Sequence, residues 1–263
     1  MTDATEQTPV SIIQLTDCHL FSDPDARLGG VDTKANLTSV LAHIARYFLP
    51  QSLILTGDLS HDANPETLTW LQNQCLQHFP GSQVFWLPGN HDDPALLAQQ
   101  LDQLNPLQEW QQNGWQLCLL NSHSGRPEGV LSSNELARLE RLAQQGLPVA
   151  VFVHHHPLKL GCFIDRHMLT NCEPLLRLFS RYPTMKLLAH GHTHQESRLQ
   201  HAQTAILGCP ATSVQFQPKA PEFELAATKP GYRWLQLQPD GSFTTGVVRV
   251  VAGSVADARE GEY

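Results

Sequence analysis

Pro148-Val-Ala-Val-Phe-Val153, followed at once by His154-His155-His156-Pro157, is the junction from which this chain is best read. The run is strand-length and apolar throughout, so the strand it forms must be covered on both faces. Three imidazoles beside a buried strand are costly unless they find partners. The same junction recurs four times. Val10–Leu15 runs into Asp17-Cys18-His19, and Ser52–Thr56 into Gly57-Asp58. Gln83–Leu87 runs into Gly89-Asn90-His91-Asp92, and Met185–Ala189 into His190-Gly191-His192-Thr193-His194.

Between those runs the apolar period changes. Thr33–Leu49 places Leu37, Val40, Leu41, Ile44 and Phe48 at helical spacing, and Pro65–Phe79 does so with Leu68, Leu71, Cys75 and Leu76. Ser132-x-x-Glu135 is a capping-box signature opening a helix over Ser133–Gln145, and Glu173–Tyr182 predicts a shorter one. Strands alternating with helices predict α/β layering over the first two-thirds. Hairpin turns at Asn113-Gly114 and Pro239-Asp240-Gly241 add antiparallel strand, much of it in the last third. A single domain over 1–263 is expected, with an ordered core of about 10–252. The ends, 1–9 and about 253–263, are polar or small and read as frayed.

The chain has 263 residues, 17 Lys+Arg against 25 Asp+Glu, a formal charge of −8 and 41% hydrophobic residues. The acidic balance argues against a nucleic-acid or membrane-surface partner, either of which needs a basic face. Leu147–Val153, the longest apolar run, falls far short of the roughly 18 residues of a membrane helix. The polar start shows no secretory signal. Six cysteines without a C-x-x-C pair read as free, mostly buried thiols, and a cytoplasmic location is expected.

Taken singly, the junction motifs are weak. Asp-x-His is common in loops, and Gly-Asp after a strand is usually a turn. Gly89-Asn90-His91-Asp92 says more, because a Gly-Asn turn does not require the His-Asp after it. His190, His192 and His194 crowd imidazoles in a way that packing does not explain. Together the motifs converge. With parallel strands, all five loops gather at the carboxyl edge, where ligands bind in open α/β folds. Carboxylate, amide and imidazole donors meeting there predict a divalent-metal site.

In their order these motifs resemble the calcineurin-like metallophosphoesterases. Further similarity narrows the resemblance to the bacterial class III 3′,5′-cyclic AMP phosphodiesterases. It rests on Gln14–Phe21, Leu28–Thr33, Trp86–Asp92, His154–Leu158, Gly161-Cys162, Pro210–Phe216 and Pro230–Trp234. The resemblance implies a two-sheet β-sandwich flanked by helices (α-β-β-α), with a dinuclear centre at the carboxyl ends of the strands. One ion would take Asp17, His19, Asp58 and His194, and the other Asp58, Asn90, His155 and His192. The usual pattern puts the fourth ligand two residues before the proline, giving His155; the triplet leaves His154 as the alternative. The resemblance favours iron or manganese, with zinc and cobalt equally compatible with these donors.

Two divalent ions set against only two carboxylates leave a net positive centre, suited to a phosphodiester anion. Such a pair also activates water near neutral pH. His91, beside Asn90 but outside the ligand set, is placed to protonate the leaving group or hold phosphoryl oxygens, together with His19, Asn90 and His194. Asp92 is expected either to orient His91 or to lie on a loop surface. Cyclic AMP is the expected substrate, with another small phosphodiester as the second reading and a non-catalytic scaffold as the third. A homodimer is left open. Leu28–Thr33 and Gly208–Phe216 are the expected cleft walls, with Phe216 read either as a cover for the base or as core.

Overall fold

β1 (Val10–Leu15), β2 (Ser52–Thr56) and β3 (Gln83–Leu87) run parallel, with Ile13 opposite Leu53 and Leu53 opposite Val84. The crossovers between them are α1 (Thr33–Tyr47) and α2 (Pro65–His78), and α3 (Pro94–Gln100) follows β3. The computed structural model describes residues 8–106 and 109–257. β4 (Glu109–Gln112) and β5 (Trp115–Leu120) form the hairpin predicted at Asn113-Gly114. α4 (Ser133–Ala143), β6 (Val149–Val153), α5 (Cys172–Arg181) and β7 (Met185–His190) then alternate. β8 (Ser197–His201) and β9 (Thr204–Gly208) form an edge hairpin, and β10 (Gln215–Phe216) pairs with β11 (Leu225–Ala226). β12 (Gly231–Leu237) and β13 (Phe243–Arg249) complete the second predicted hairpin.

The strands make two large sheets. One has the order β13-β12-β1-β2-β3 and the other β4-β5-β6-β7-β9-β8. Period-2 alternation sends each strand's side chains to two different cores. From β1–β3, Ile12, Ile54, Phe85 and Leu87 enter the layer between the sheets, where they meet Trp115, Leu117, Phe152, Leu187 and Leu235. Ile13, Leu53, Leu55, Val84 and Trp86 point the other way, onto Leu37, Leu41, Leu68 and Leu97 of the first three helices. Val149, Val151 and Val153 of β6 pack outward on Leu139 of α4 and Leu175 and Phe179 of α5. The result is the expected α-β-β-α stack, and it explains why the central strands are apolar on both faces.

Helix starts follow their caps. Asp32, Asn64, Asp93 and Ser132 each accept a backbone N–H of the first turn, worth about 1 kcal/mol apiece. The Ser132 capping box is half made: the Glu135 carboxylate turns instead to Asn121 N (2.8 Å) and Arg138 (2.7 Å). The frayed-end expectation for 1–7 and 258–263 lies outside the described residues. Residues 253–257 depart from it. Ser254 bonds both ways with the Asn36 amide, Asp257 N donates to Gly29 O at 3.2 Å, and Ala256 is buried.

Candidate metal centre

All five junction motifs leave the carboxyl ends of parallel strands, three from one sheet and two from the other. Backbone bonds extend the β1–β2 pairing into the loops, with Asp17 N to Gly57 O at 3.0 Å and His19 N to Asp58 O at 2.9 Å. The two sheets are tied at the same edge. His192 N donates to the Asp17 carboxylate (3.0 and 3.1 Å), and the His154 ring reaches Thr56 O at the end of β2; within the second sheet, Gly191 N donates to His154 O (3.1 Å). Nine described non-glycine residues have left-handed φ, and five are candidate ligands: Asp17 (52°), His19 (43°), Asp58 (52°), His192 (65°) and His194 (45°). Such conformations cost on the order of 1–3 kcal/mol each and persist where surrounding structure imposes them. Glycine is required where the loops touch. A Cβ on Gly89 would collide with the Asp58 carboxylate, and one on Gly57 (φ +90°) would stand 2.7 Å from His154 Nδ1.

The side chains face one another across this edge. His19 Nε2 lies 3.1 Å from His194 Nε2 and 3.7 Å from Asp58 Oδ2, and His194 Nε2 lies 3.4 Å from Asp17 Oδ1. His194 Nδ1 is anchored 2.9 Å from Val214 O, which turns Nε2 toward the carboxylates. His154 is aimed in the same way. Its Nδ1 sits 2.7 Å from Thr56 O, while Nε2 lies 3.2 Å from Asp58 Oδ2 and 3.1 Å from Asn90 Oδ1. One ligand atom from each of Asp17, His19 and His194, from each of Asp17, Asp58 and His154, or from each of His154, His155 and His192 lies within 4.8 Å of the others.

His155 stands differently from the expectation. Its Nδ1 is 2.8 Å from Ser122 Oγ and its Nε2 3.1 Å from Pro127 O, so both ring nitrogens have other partners. The cause is the pleat of β6. Ala150 and Phe152 face the layer between the sheets, so His154 continues on that side, toward Asp58. Val151 and Val153 face the helices, and His155 follows them. Asp92 also departs from both of its expected roles. It is 4% exposed, and its oxygens accept from Leu59 N (2.9 Å), Ser60 N (3.2 Å) and Gly89 N (2.8 Å). It therefore joins the second and third motif loops through their backbone rather than orienting His91 or lying on a surface. Asp58 Oδ1 adds a parallel tie, accepting from His91 N at 2.9 Å.

Sequence reasoning missed His61. Its ring stacks on His91 (5.4 Å between centroids, 22°) and its Nδ1 lies 3.3 Å from His19 Nδ1. It sits just past Gly57-Asp58, and only the pairing of that loop with the first, seen in His61 N to Leu20 O (2.8 Å), brings it here. The His190 ring turns to backbone, with Nδ1 2.9 Å from Gly191 O, and burial pushes its pKa down to about 3.

Burial dominates the electrostatics. It holds His19, His155 and His192 well below the ordinary imidazole pKa, aided by neighbouring imidazoles, so these rings are neutral. Burial would also lower His154, but the adjacent Asp58 carboxylate outweighs it and lifts that ring to about 9. The same pairing, acting against burial, holds Asp58 well below the usual carboxylate range. A divalent cation would compete with that proton for the same two atoms. Burial, and then the Asp58 charge, push Asp92 up to about 7 despite the N–H groups of Gly89 and Ser60.

Both His192 ring nitrogens are buried without a hydrogen-bond partner, and the buried Asp58 Oδ2 faces only imidazoles, His154 at 3.2 Å and His19 at 3.7 Å. Orphaned buried polar atoms cost roughly 1–3 kcal/mol each. Carboxylate, amide and neutral imidazole donors converging on such atoms fit divalent metal ions. Beside them opens a cavity of about 520 Å³, within the range of small-molecule sites, bordered by Asn90, His91 and His192. Its outer walls are Gly125–Pro127, Phe163, Ile164, His167 and Phe223, not the expected 28–33 and 208–216. Gly29-Gly30 forms a turn closed by Leu28 N to Val31 O (3.0 Å). Phe216 is 1% exposed and stacks on the ring of the candidate ligand His194 (4.0 Å, 6°), so it supports that imidazole.

A family model described as calcineurin-like phosphoesterase matches residues 10–196. A 3′,5′-cyclic adenosine monophosphate phosphodiesterase, CpdA, of Escherichia coli is 36% identical over 255 residues, 92% of this chain and 90% of that protein. A 3′,5′-cyclic-nucleotide phosphodiesterase of Nostoc is 35% identical, over 93% of this chain and 94% of the other. Among solved structures, a dimetal phosphatase from Danio rerio superposes with a TM-score of 0.65 at 13% identity, covering 92% of this chain and 99% of that one; this likeness concerns the fold.

Proposed function

Because the chain belongs to the calcineurin-like phosphoesterase family, and is a metal-dependent phosphodiesterase, we propose that it hydrolyses 3′,5′-cyclic AMP to 5′-AMP. The observation carrying this reading is the donor set around the buried Asp58 carboxylate, with both His192 ring nitrogens orphaned, opening on a nucleotide-sized cavity. The relatives named as cyclic-nucleotide phosphodiesterases along nearly the whole chain supply the substrate class. Asp17, His19, Asp58 and His194 would hold one ion, and Asp58, Asn90, His154 and His192 the other, with Asp58 shared. His154 takes the place expected of His155 because its Nε2 is the one facing Asp58 and Asn90. Iron or manganese is the proposed pair. Bound there, the ions supply an activated water and positive charge for the phosphoryl oxygens.

The chain's own groups do the rest. Asn90 and His91 border the cavity where the phosphate must sit, and His91 stands edge-on to His19 (4.9 Å, 80°). From there its N–H protonates the departing O3′ as the ring opens. Asp92 keeps Asn90 and Asp58 in register by binding both loops. Five buried thiols and one half-buried thiol support the cytoplasmic reading, and no described helix is long and apolar enough to cross a membrane. Chromatography of the products from metal-loaded protein tests the activity: 5′-AMP alone is expected. 3′-AMP alone, or brisk cleavage of another diester without cyclic-nucleotide turnover, overturns it.

A further inference from the structure

Three of the four apolar clusters are accounted for by the layers of the fold. The fourth lies over the metal edge. It gathers Cys162, Phe163, Ile164, Val214, Phe216 and Leu225, with Phe223 packed against it. Layer packing does not require this cap, and its exposed side is the cavity wall. Phe163 and Phe223 meet at a right angle (5.4 Å, 87°), forming an aromatic corner.

The corner is held in fixed relation to the metal ligands. Phe163 packs on Phe216 (5.0 Å, 67°), which stacks on His194, so one chain of rings runs from ligand to wall. The segment 160–165 is fastened by Asp165, which accepts from Leu160 N (2.9 Å), Gly161 N (2.8 Å) and Cys162 N (3.3 Å) and faces His156 Nε2 at 3.1 Å. Such a preformed wall lowers the ordering cost of binding.

We propose that the corner of Phe163 and Phe223, with Ile164, is a nucleobase subsite that holds the base of the substrate while its phosphate lies at the metal edge. The inference rests on the phosphodiesterase reading above and adds which part of the chain recognises the nucleoside. The chemistry is that of a planar, weakly polar group. Two phenyl rings offer stacking and apolar contact, backed by the nearly buried Ile164, and Arg126 and His167 also border the cavity. Stacking is tolerant of base identity, because every base has a π-face.

Metal-loaded protein tests this with two substrates, 3′,5′-cyclic AMP and base-free ribose 3′,5′-cyclic phosphate, and with adenosine as an inhibitor of the base-free reaction. Phe223 is half-buried, so Phe223→Ala is the first variant and Phe223→Trp the conservative rescue. In Phe223→Ala the ratio of kcat/KM between the two substrates should fall about 5- to 100-fold, with a matching rise in the adenosine inhibition constant. Phe223→Trp should restore both. Cyclic AMP turnover with ratio and inhibition constant unmoved in Phe223→Ala overturns the subsite and leaves the activity standing. No cyclic AMP turnover in the wild type, beside Phe223-dependent inhibition by adenosine, overturns the activity and keeps the subsite.

Discussion

Replacing His154 and His155 one at a time by alanine separates two neighbours that differ in the face they occupy. His154→Ala removes the imidazole whose Nε2 stands 3.2 Å from Asp58 Oδ2 and 3.1 Å from Asn90 Oδ1. His155→Ala removes contacts to Ser122 Oγ and Pro127 O at 2.8 and 3.1 Å. Two ordinary hydrogen bonds are worth about 1–3 kcal/mol together. At roughly 2–4 °C per kcal/mol for a chain of this size, His155→Ala should melt about 2–12 °C lower. A residue that supports a site from outside typically costs 10–100-fold in metal affinity. His155→Ala should stay within that range, and His154→Ala, losing a direct ligand, should exceed it. Titration of the metal-free variants with Mn²⁺, beside calorimetric melting, reads both quantities. Weaker metal binding in His155→Ala than in His154→Ala would refute the assignment drawn from the β6 pleat.

His91→Ala should keep its metal by elemental analysis and lose about 10²–10⁴-fold in kcat, the range of a missing general acid. Phe152, fully buried between the sheets two residues before His154, should cost about 3–5 kcal/mol as Phe152→Ala, read as a melting temperature lower by about 6–20 °C. Asp165 gives a pH signature. Burial would raise its pKa, but His156 and the N–H groups of Leu160 and Gly161 lower it from 3.8 to about 2. Its stabilisation is therefore full above the unfolded value and lost as pH falls through the folded one. Asp165→Asn should be less stable than wild type at neutral pH in urea melts, and the gap should close as pH falls from 3.8 toward 2.

The layers were legible because each central strand is covered on both faces, which makes runs such as Ser52–Thr56 and Val149–Val153 continuously apolar. α3 was not legible. It has 7 residues, too few for a helical period, and its signal was only the Asp93-Pro94 start. β8 and β9 escaped for another reason: Ser197–His201 is a polar edge strand, and its partner is identifiable only through the pairing of Leu199 with Ile206. At the site, donor types at strand ends could be read locally, whereas facing could not be assigned without the sheet. His155 was chosen by its distance from Pro157, although alternation along β6 already places His154 with Phe152. His61, Phe163 and Phe223 arrive through long-range packing, which no local pattern announces.

Metal stoichiometry and turnover measured on the same purified sample test the central claim most directly, with Asp58→Ala beside the wild type. Asp58 stands 3.2 Å from His154 and 3.7 Å from His19, one in each proposed site. The wild type should carry about two divalent ions per chain and open cyclic AMP, the stoichiometry of a two-metal phosphodiester site. Asp58→Ala should lose both ions' firm binding and its activity together. Full occupancy with normal turnover in Asp58→Ala, or turnover by wild type stripped of metal, would contradict the account.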